Sequence, residues 1–188
     1  MSELKILPYK YKEEKAIAVA SKLLVFSGNN CDKYWLNKVM YFIERNSLLK
    51  GGKPIFFDRM YSIPYGPIVS SVNDGIDLTA YPVKSPWTNH FSLNGNLVTL
   101  KKEADYSLLS PFEIGIIEES YNKFKGWDFN RLHEFFENLP EFKKTTSREE
   151  IKYDEILSAE GFDPKSVEDT INEIAYIDLL ESSLHCDK

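Results

Sequence analysis

The residue types that carry most enzyme chemistry are sparse in this chain and are not arranged in pairs. The three histidines, His90, His133 and His185, lie far apart, and none has the spacing of a metal-binding HExxH helix. Cys31 and Cys186 stand near opposite ends and are too few for a disulfide framework or a cysteine-rich zinc site. We therefore predict no metal site and interpret the histidines as ordinary surface or boundary residues.

Motifs for nucleophilic catalysis and for nucleotide binding are also missing from the sequence. It contains no Gly-x-Ser-x-Gly elbow, no GxxxxGK[ST] loop and no GxGxxG turn. Nearly all of the 29 acidic side chains are expected to be solvated surface groups. We therefore expect a protein that is not an enzyme and that holds no cofactor.

The charged residues are unevenly distributed along the chain, whose net charge is −6. The first 60 residues carry 11 basic and 6 acidic side chains, whereas residues 146–188 carry 4 and 12. Either the two ends face each other in the fold, or the acidic end binds a basic partner. Lysines around the first predicted helix leave a nucleic-acid-binding regulator open, but a pI near 5.2 argues against many phosphate contacts.

The length and composition suit a single folded domain. A chain of 188 residues with 43% hydrophobic content can bury a substantial core. We assign residues 1–188 to one domain, with 146–188 as its acidic helical part. Because no targeting signal and no run of ~18 apolar residues occurs, we expect a cytoplasmic protein without a membrane partner.

The central predicted element is an aromatic-rich helix that begins near Asp32, a good N-cap. Apolar residues occupy most of its circumference from Trp35 to Ile43, which is typical of a helix buried on several sides. We expect a partner to reach only its few polar positions, among them Lys38 and Tyr41.

The remaining pattern predicts about seven helices around this central helix, together with a small β-hairpin or strand element. The fold class is mainly α, and an α+β class stays open. Ser110 and Glu113 form a capping box around Pro111, which marks a helix start. Asn94-Gly95 between alternating apolar residues predicts a hairpin whose loop has two or three residues.

Proline and polar residues between the helices predict extended segments, turns and further helix starts. Residues 55–61 are β-prone and expected to be extended, and residues 79–89 to be irregular. Pro67 is expected in the first turn of a helix that runs to about Leu78. Ser147 and Glu150 have the spacing of a second capping box, ahead of a short helix near residues 154–160.

Short motifs in a fixed order resemble the Panacea domain of the SocA-like antitoxin family. Residues 38–42 (KVMYF), 52–58 (GKPIFFD) and 65–68 (YGPI) are similar to a KLLYF-like helix, a G-x-P-[LI] turn with an aspartate, and a YGPV motif. Residues 139–143 (LPEFK) and 151–161 look like later motifs, and the resemblance extends from about Lys15 to Ile177. The chain departs from the pattern at Ile63 and Phe142, where the family often has aromatic or tryptophan side chains.

The resemblance implies a non-enzymatic antitoxin of a two-gene toxin–antitoxin pair, often prophage-associated. Its members neutralise a protein toxin, encoded next to them, by direct contact. One branch looks instead like a proteolytic adaptor that delivers a toxin to a Clp-type protease, and this alternative stays open.

The same motifs supply the candidate site residues. Gly66 permits a backbone conformation that is closed to other residues. The residues expected to shape the fold are Asp58, Tyr65, Gly66 and Pro67. The candidates for partner binding are Lys38, Tyr41, Arg59, Tyr61 and Tyr65, the last three of them on an exposed rim.

Overall fold

The computed structural model describes residues 9–184, with side chains up to residue 180. The described part of the chain has eight α-helices: α1 Glu13–Phe26, α2 Lys33–Gly51, α3 Ser70–Leu78, α4 Pro86–His90, α5 Pro111–Phe124, α6 Phe129–Glu137, α7 Tyr153–Ala159 and α8 Pro164–Leu184. Its strands are β1 Asn30–Asp32, β2 Met60–Ile63, β3 Gly66–Val69, β4 Phe91–Asn94, β5 Leu97–Leu100 and β6 Glu149–Ile151. They form two antiparallel sheets, ordered β1-β5-β4 and β3-β2-β6. The predicted mainly α fold with a small β part is confirmed.

Helix α2 is the element around which the others pack. The Asp32 carboxylate caps it by accepting hydrogen bonds from the N–H groups of Tyr34 and Trp35, at 2.7 and 3.3 Å. Every residue from Trp35 to Leu48 is buried. Helices α1, α3, α5, α6 and α7 and strand β3 all contact it. The prediction of a central, buried helix is therefore confirmed.

An aromatic cluster joins α2 to α5 and α6. The rings of Phe42 and Phe124 meet edge to face with centroids 4.8 Å apart, and Phe136 lies 5.4 Å from Phe124. The indole Nε1 of Trp35 donates a hydrogen bond to the Phe124 carbonyl at 3.0 Å. These contacts anchor α6, and with it one side of the site described below.

The segment around Pro67 is a hairpin and not the start of a helix. Ile63 pairs with Gly66, so residues 64 and 65 form the loop between β2 and β3, and α3 begins only at Ser70. The predicted helix start at Pro67 is wrong. Pro67 pairs with Ser62, next to the Ile63–Gly66 pair that closes the loop, and hydrogen-bonded and non-bonded pairs alternate in an antiparallel ladder. The Pro67 nitrogen therefore points away from β2, toward the open edge of the sheet, where no ladder bond is needed.

The segment before α7 is a strand. Glu150 pairs with Tyr61 of β2, so the capping box predicted for Ser147 and Glu150 is wrong. The backbone of residues 149–151 pairs with the side of β2 that β3 leaves open, and the predicted helix cap does not form. The glutamate that caps α7 is Glu155, whose side chain accepts a hydrogen bond from the N–H of Lys152 at 2.8 Å.

The structure also shows the conformation of the segment 79–89 and of the second hairpin. The region 79–89, expected to be irregular, contains most of α4, which the side chain of Ser85 caps. Asn94 pairs with Leu97, so the second hairpin has a two-residue loop. Gly95 supplies the positive φ of +60° that this loop requires.

Helices α3 and α4 approach each other at a glycine. A β-carbon at Gly75 would overlap the indole ring of Trp87, which is 1% exposed. Nothing lies within 4 Å of the corresponding position at Gly115 in α5. A side chain at Gly75 would therefore clash with a packed neighbour, whereas one at Gly115 would meet open space.

Gly75→Ala is expected to lower the free energy of unfolding by about 1–3 kcal/mol, because Trp87 must shift in a packed core. Gly115→Ala is expected to raise it by about 0.5–1 kcal/mol, because alanine restricts the unfolded chain without a clash. Urea unfolding of both variants measures the difference. A Gly75→Ala protein as stable as the wild type contradicts the close packing of α3 on α4.

Candidate functional site

The β2–β3 hairpin presents a row of predicted residues on its outward side. Successive side chains of a strand alternate between its two faces. Met60 and Ser62 point inward and are buried, whereas Arg59, just before β2, is exposed and Tyr61 is half-buried. Tyr65 in the loop is 63% exposed. We call the following residues the hairpin face: Arg59, Tyr61, Ile63 and Tyr65.

Tyr65 lies at a corner where the hairpin meets α2 and α6. Its carbonyl accepts a hydrogen bond from the Tyr34 hydroxyl at 3.0 Å, and its ring centroid is 6.5 Å from that of His133. Phe129, which is 48% exposed, stacks on His133 at 5.5 Å and lies 4.6 Å from the Tyr34 ring. We call Tyr34, Tyr65, Phe129 and His133 the aromatic corner. Exposed aromatic clusters of this kind are typical of protein interfaces.

His133 and Phe129 are members of this corner that sequence reasoning missed. The sequence interpretation treated His133 as an ordinary surface or boundary residue. The signal in the sequence is the i, i+4 spacing of Phe129 and His133, which places both side chains on one face of α6. Nothing in the local sequence shows that Tyr65, 68 residues before His133, packs against that face.

Lys38 lies beneath the aromatic corner. Its side chain is buried, and Nζ donates a hydrogen bond to the Pro67 carbonyl at 2.8 Å. Nζ also lies 4.9 Å from the centre of the Tyr34 ring. A β-carbon on Gly66 would come within 3.2 Å of Nζ. The expectation that Lys38 is open to a partner is wrong, because the hairpin closes over it.

Burial determines the proton affinity of Lys38. Loss of hydration lowers the pKa of its ammonium to about 7, and the nearby Glu137 carboxylate opposes this shift. The group therefore changes charge near neutral pH while it remains bonded to the hairpin backbone.

Tyr41 is also buried, and the expectation that a partner reaches it is wrong. Its hydroxyl donates a hydrogen bond to Glu141 at 2.8 Å, and burial raises its pKa. Arg45 donates through Nε and Nη2 to both oxygens of Glu141, at 2.7 and 3.1 Å, and pairs with Glu160. The segment that carries Glu141 covers this part of α2, so Tyr41 and Arg45 hold the fold together.

A buried carboxylate holds the loop between α2 and the hairpin. Glu44 accepts hydrogen bonds from the N–H groups of Ile55, Phe56 and Asp58 at 2.7, 3.1 and 3.2 Å. Burial raises the pKa of Glu44 to about 8 in spite of these bonds. Phe57 within this loop has a φ of +56°, a strained value for a bulky residue. The bonds to Glu44 keep the strained loop in place.

Asp58 connects this loop to α3. Its carboxylate accepts hydrogen bonds from the N–H groups of Ser71 and Val72, at 3.0 and 2.9 Å, and from Arg59 at 2.8 Å. A carboxylate at a helix N-terminus is favoured by the unpaired N–H groups there. Asp58 therefore orients the chain where the hairpin face begins.

The lysines of the amino-terminal region make contacts inside the fold. Lys15 pairs with Glu113 at 2.6 Å, and the Lys22 ammonium lies 4.6 Å from the Tyr106 ring centre. The backbone N–H of Lys10 donates a hydrogen bond to Asp178 of the acidic helix α8 at 3.4 Å. The last of these contacts joins the amino-terminal region to the acidic end, whereas the Lys15 and Lys22 side chains contact other parts of the fold.

The other candidate chemistry has no built site in the described residues. No group of three or more His, Cys, Asp or Glu residues within 9–184 is placed to hold a metal ion. Burial raises the pKa of the Cys31 thiol to about 12, which makes it a poor nucleophile at neutral pH. His185 and Cys186 lie outside the described residues. No described helix is both long and apolar enough to cross a membrane.

Lys38 makes the stability of the fold depend on pH. Between pH 7 and 10.5 the unfolded chain keeps the Lys38 proton and the folded chain releases it, so the contribution of Lys38 to the free energy of unfolding rises with pH. Below pH 7 this contribution is constant. The stability of the wild type relative to Lys38→Met should therefore increase from pH 7 to 9.5, by on the order of 1 kcal/mol per pH unit.

Urea unfolding of the wild type and Lys38→Met at intervals from pH 6 to 9.5 measures this effect. Lys50→Met is the matched control, because Lys50 is an exposed lysine of the same helix that pairs with Glu119 at the surface. Its stability curve should run parallel to that of the wild type. Parallel curves for Lys38→Met would contradict the burial of a protonatable amine beneath the hairpin.

Comparison of the chain with known proteins shows the family to which it belongs. The chain matches the family model described as antitoxin SocA-like, Panacea domain, over residues 36–143. No curated protein and no solved structure matches it. The match covers more than half of the chain and includes the hairpin face and Glu141, but it ends before the motif at residues 151–161. The chain therefore belongs to the SocA-like antitoxin family and carries its Panacea domain.

Proposed function

We propose that this protein is a non-enzymatic antitoxin that neutralises a protein toxin by direct binding through the hairpin face and the aromatic corner. Membership of the antitoxin family supports the role. The observation that carries the choice of surface is Tyr65, which lies within the matched range and is nevertheless 63% exposed at the tip of a hairpin. A large aromatic side chain held in this position is suited to enter a partner's surface.

The aromatic side chains of this surface are held in place before binding. The Tyr65 backbone is tied to α2 by the Tyr34 hydroxyl. The Tyr61 ring is covered by the Arg148 guanidinium at 3.7 Å, and Arg148 also donates a hydrogen bond to Ser70 at 2.6 Å. Pre-organised aromatic and arginine side chains lose little conformational entropy on binding, and they dominate most interface hot spots.

Binding to the product of the neighbouring gene tests the proposal. Tyr65→Ala is expected to weaken the toxin complex at least tenfold, or about 1.4 kcal/mol. Tyr81→Ala is the matched control, because Tyr81 is 64% exposed but follows the carboxyl end of α3, away from the hairpin loop. Calorimetry gives the two dissociation constants, and growth on co-expression gives the loss of neutralisation.

The outcomes separate direct neutralisation from the alternatives. The proposal fails if the neighbouring product is not toxic, if no complex copurifies, or if the two tyrosine variants bind equally well. A toxin whose half-life shortens when this protein is present would instead indicate a proteolytic adaptor. Retardation of DNA at low salt that disappears as salt is added would indicate a nucleic-acid-binding regulator.

A further inference from the structure

We infer that Arg59 and the cavity beside it form an anchor site for one large apolar side chain of the partner, next to a carboxylate. This inference rests on the proposed function and names the chemistry that the hairpin face recognises. The cavity has a volume of about 350 Å³, within the usual range of ligand pockets. Its apolar walls are Tyr9, Phe57, Met60, Ile151, Tyr153 and Ile171.

Arg59 differs from the other arginines of the chain because its guanidinium has no partner among the described residues. Arg45 pairs with Glu141 and Glu160, Arg131 lies 3.9 Å from the Trp127 ring centre, and Arg148 covers Tyr61. Arg59 makes no side-chain hydrogen bond, ion pair or ring contact with the described residues, yet it lines the cavity. An arginine in this state is suited to bind a carboxylate through two parallel hydrogen bonds.

The neighbouring acidic groups do not neutralise Arg59. The Asp58 carboxylate is bonded to backbone N–H groups, two of them in α3. Glu150 and Asp154 also line the cavity and repel a further carboxylate, whereas Lys152 is the second cation of the lining. A carboxylate that enters is therefore directed toward Arg59 and Lys152, which are the cations of this lining.

The wall of the cavity contains the strained residue of the loop. Phe57 keeps a φ of +56° because Glu44 binds the N–H groups on either side of it. Its ring lies 6.1 Å from that of Tyr9, and the Lys12 ammonium lies 4.4 Å from its centre. Bulky residues in strained conformations occur preferentially at ligand-binding sites. Arg59 is the residue that the cavity lining and the hairpin face share.

Two small molecules test the cavity without the toxin. 3-Phenylpropionate carries an aromatic ring and a carboxylate, and 3-phenylpropanol carries the same ring without charge. We expect 3-phenylpropionate to shift the NMR signal of the Met60 methyl group and to bind at least tenfold more tightly than the alcohol. The methyl group of Met40, which is fully buried in the core, is the internal control and should not shift.

Two variants identify the charge that is responsible. Arg59→Gln should weaken 3-phenylpropionate binding at least tenfold and bring it to the level of the alcohol. Arg131→Gln removes the same charge from an exposed arginine of α6 that does not line the cavity, and it should leave binding unchanged. Equal binding of acid and alcohol, equal effects of the two variants, or no shift of Met60 overturns the inference.

The same variants in the toxin assay separate this inference from the proposed function. Arg59→Gln should weaken the toxin complex at least tenfold more than Arg131→Gln does. If Tyr65→Ala weakens the complex and Arg59→Gln does not, the anchor site is wrong and the proposed function stands. If no complex forms while 3-phenylpropionate binds through Arg59, the toxin role is wrong and the carboxylate specificity of the cavity stands.

Discussion

The fold depends on a set of polar side chains that α2 carries into the core. A buried polar group without a partner costs about 1–3 kcal/mol, and a charged one costs more. Lys38 meets this requirement at the carbonyl of Pro67, Glu44 at the loop 55–58, and Arg45 at Glu141. Each partner lies in a different later segment of the chain. The polar positions of one helix therefore determine where the hairpin, its preceding loop and the Glu141 segment must lie.

The same constraint produces the candidate interface. Because Lys38 holds the inward side of the hairpin, the outward side is left to display Tyr61 and Tyr65. Because Glu44 holds a strained loop, Arg59 follows that loop and lies beside the cavity, with no side-chain partner in the part of the chain that the structure describes. In a member of an antitoxin family, a surface supported in this way can be recognised by a partner with little rearrangement. The core contacts and the candidate interface thus lie on the two sides of one hairpin.

Several predictions that rest on neighbours within a few residues agreed with the structure. The caps at Asp32 and Ser110 and the buried central helix follow from bonds and apolar spacing inside one element. Predictions that chose between a local and a distant partner were wrong at Pro67 and Glu150. Both residues have the chemistry of a helix start, and both are instead paired in a sheet with β2. Pro67 pairs with Ser62 across the hairpin, and Glu150 pairs with Tyr61 from far along the chain. In both cases strand pairing outweighed a local helix-start preference of at most a few kcal/mol.

The fold class, the central helix and the motif order typical of the family follow from the sequence alone. The motif around Tyr65 also led to the expectation that Arg59, Tyr61 and Tyr65 lie on an exposed rim. The burial of Lys38 and Tyr41 depends on the tertiary structure, because the hairpin and the Glu141 segment that cover them come from far along the chain. A stripe of polar residues on a helix has the same sequence pattern whether water or another part of the protein makes its hydrogen bonds. Only the packing of later segments against the helix distinguishes an exposed stripe from a buried one.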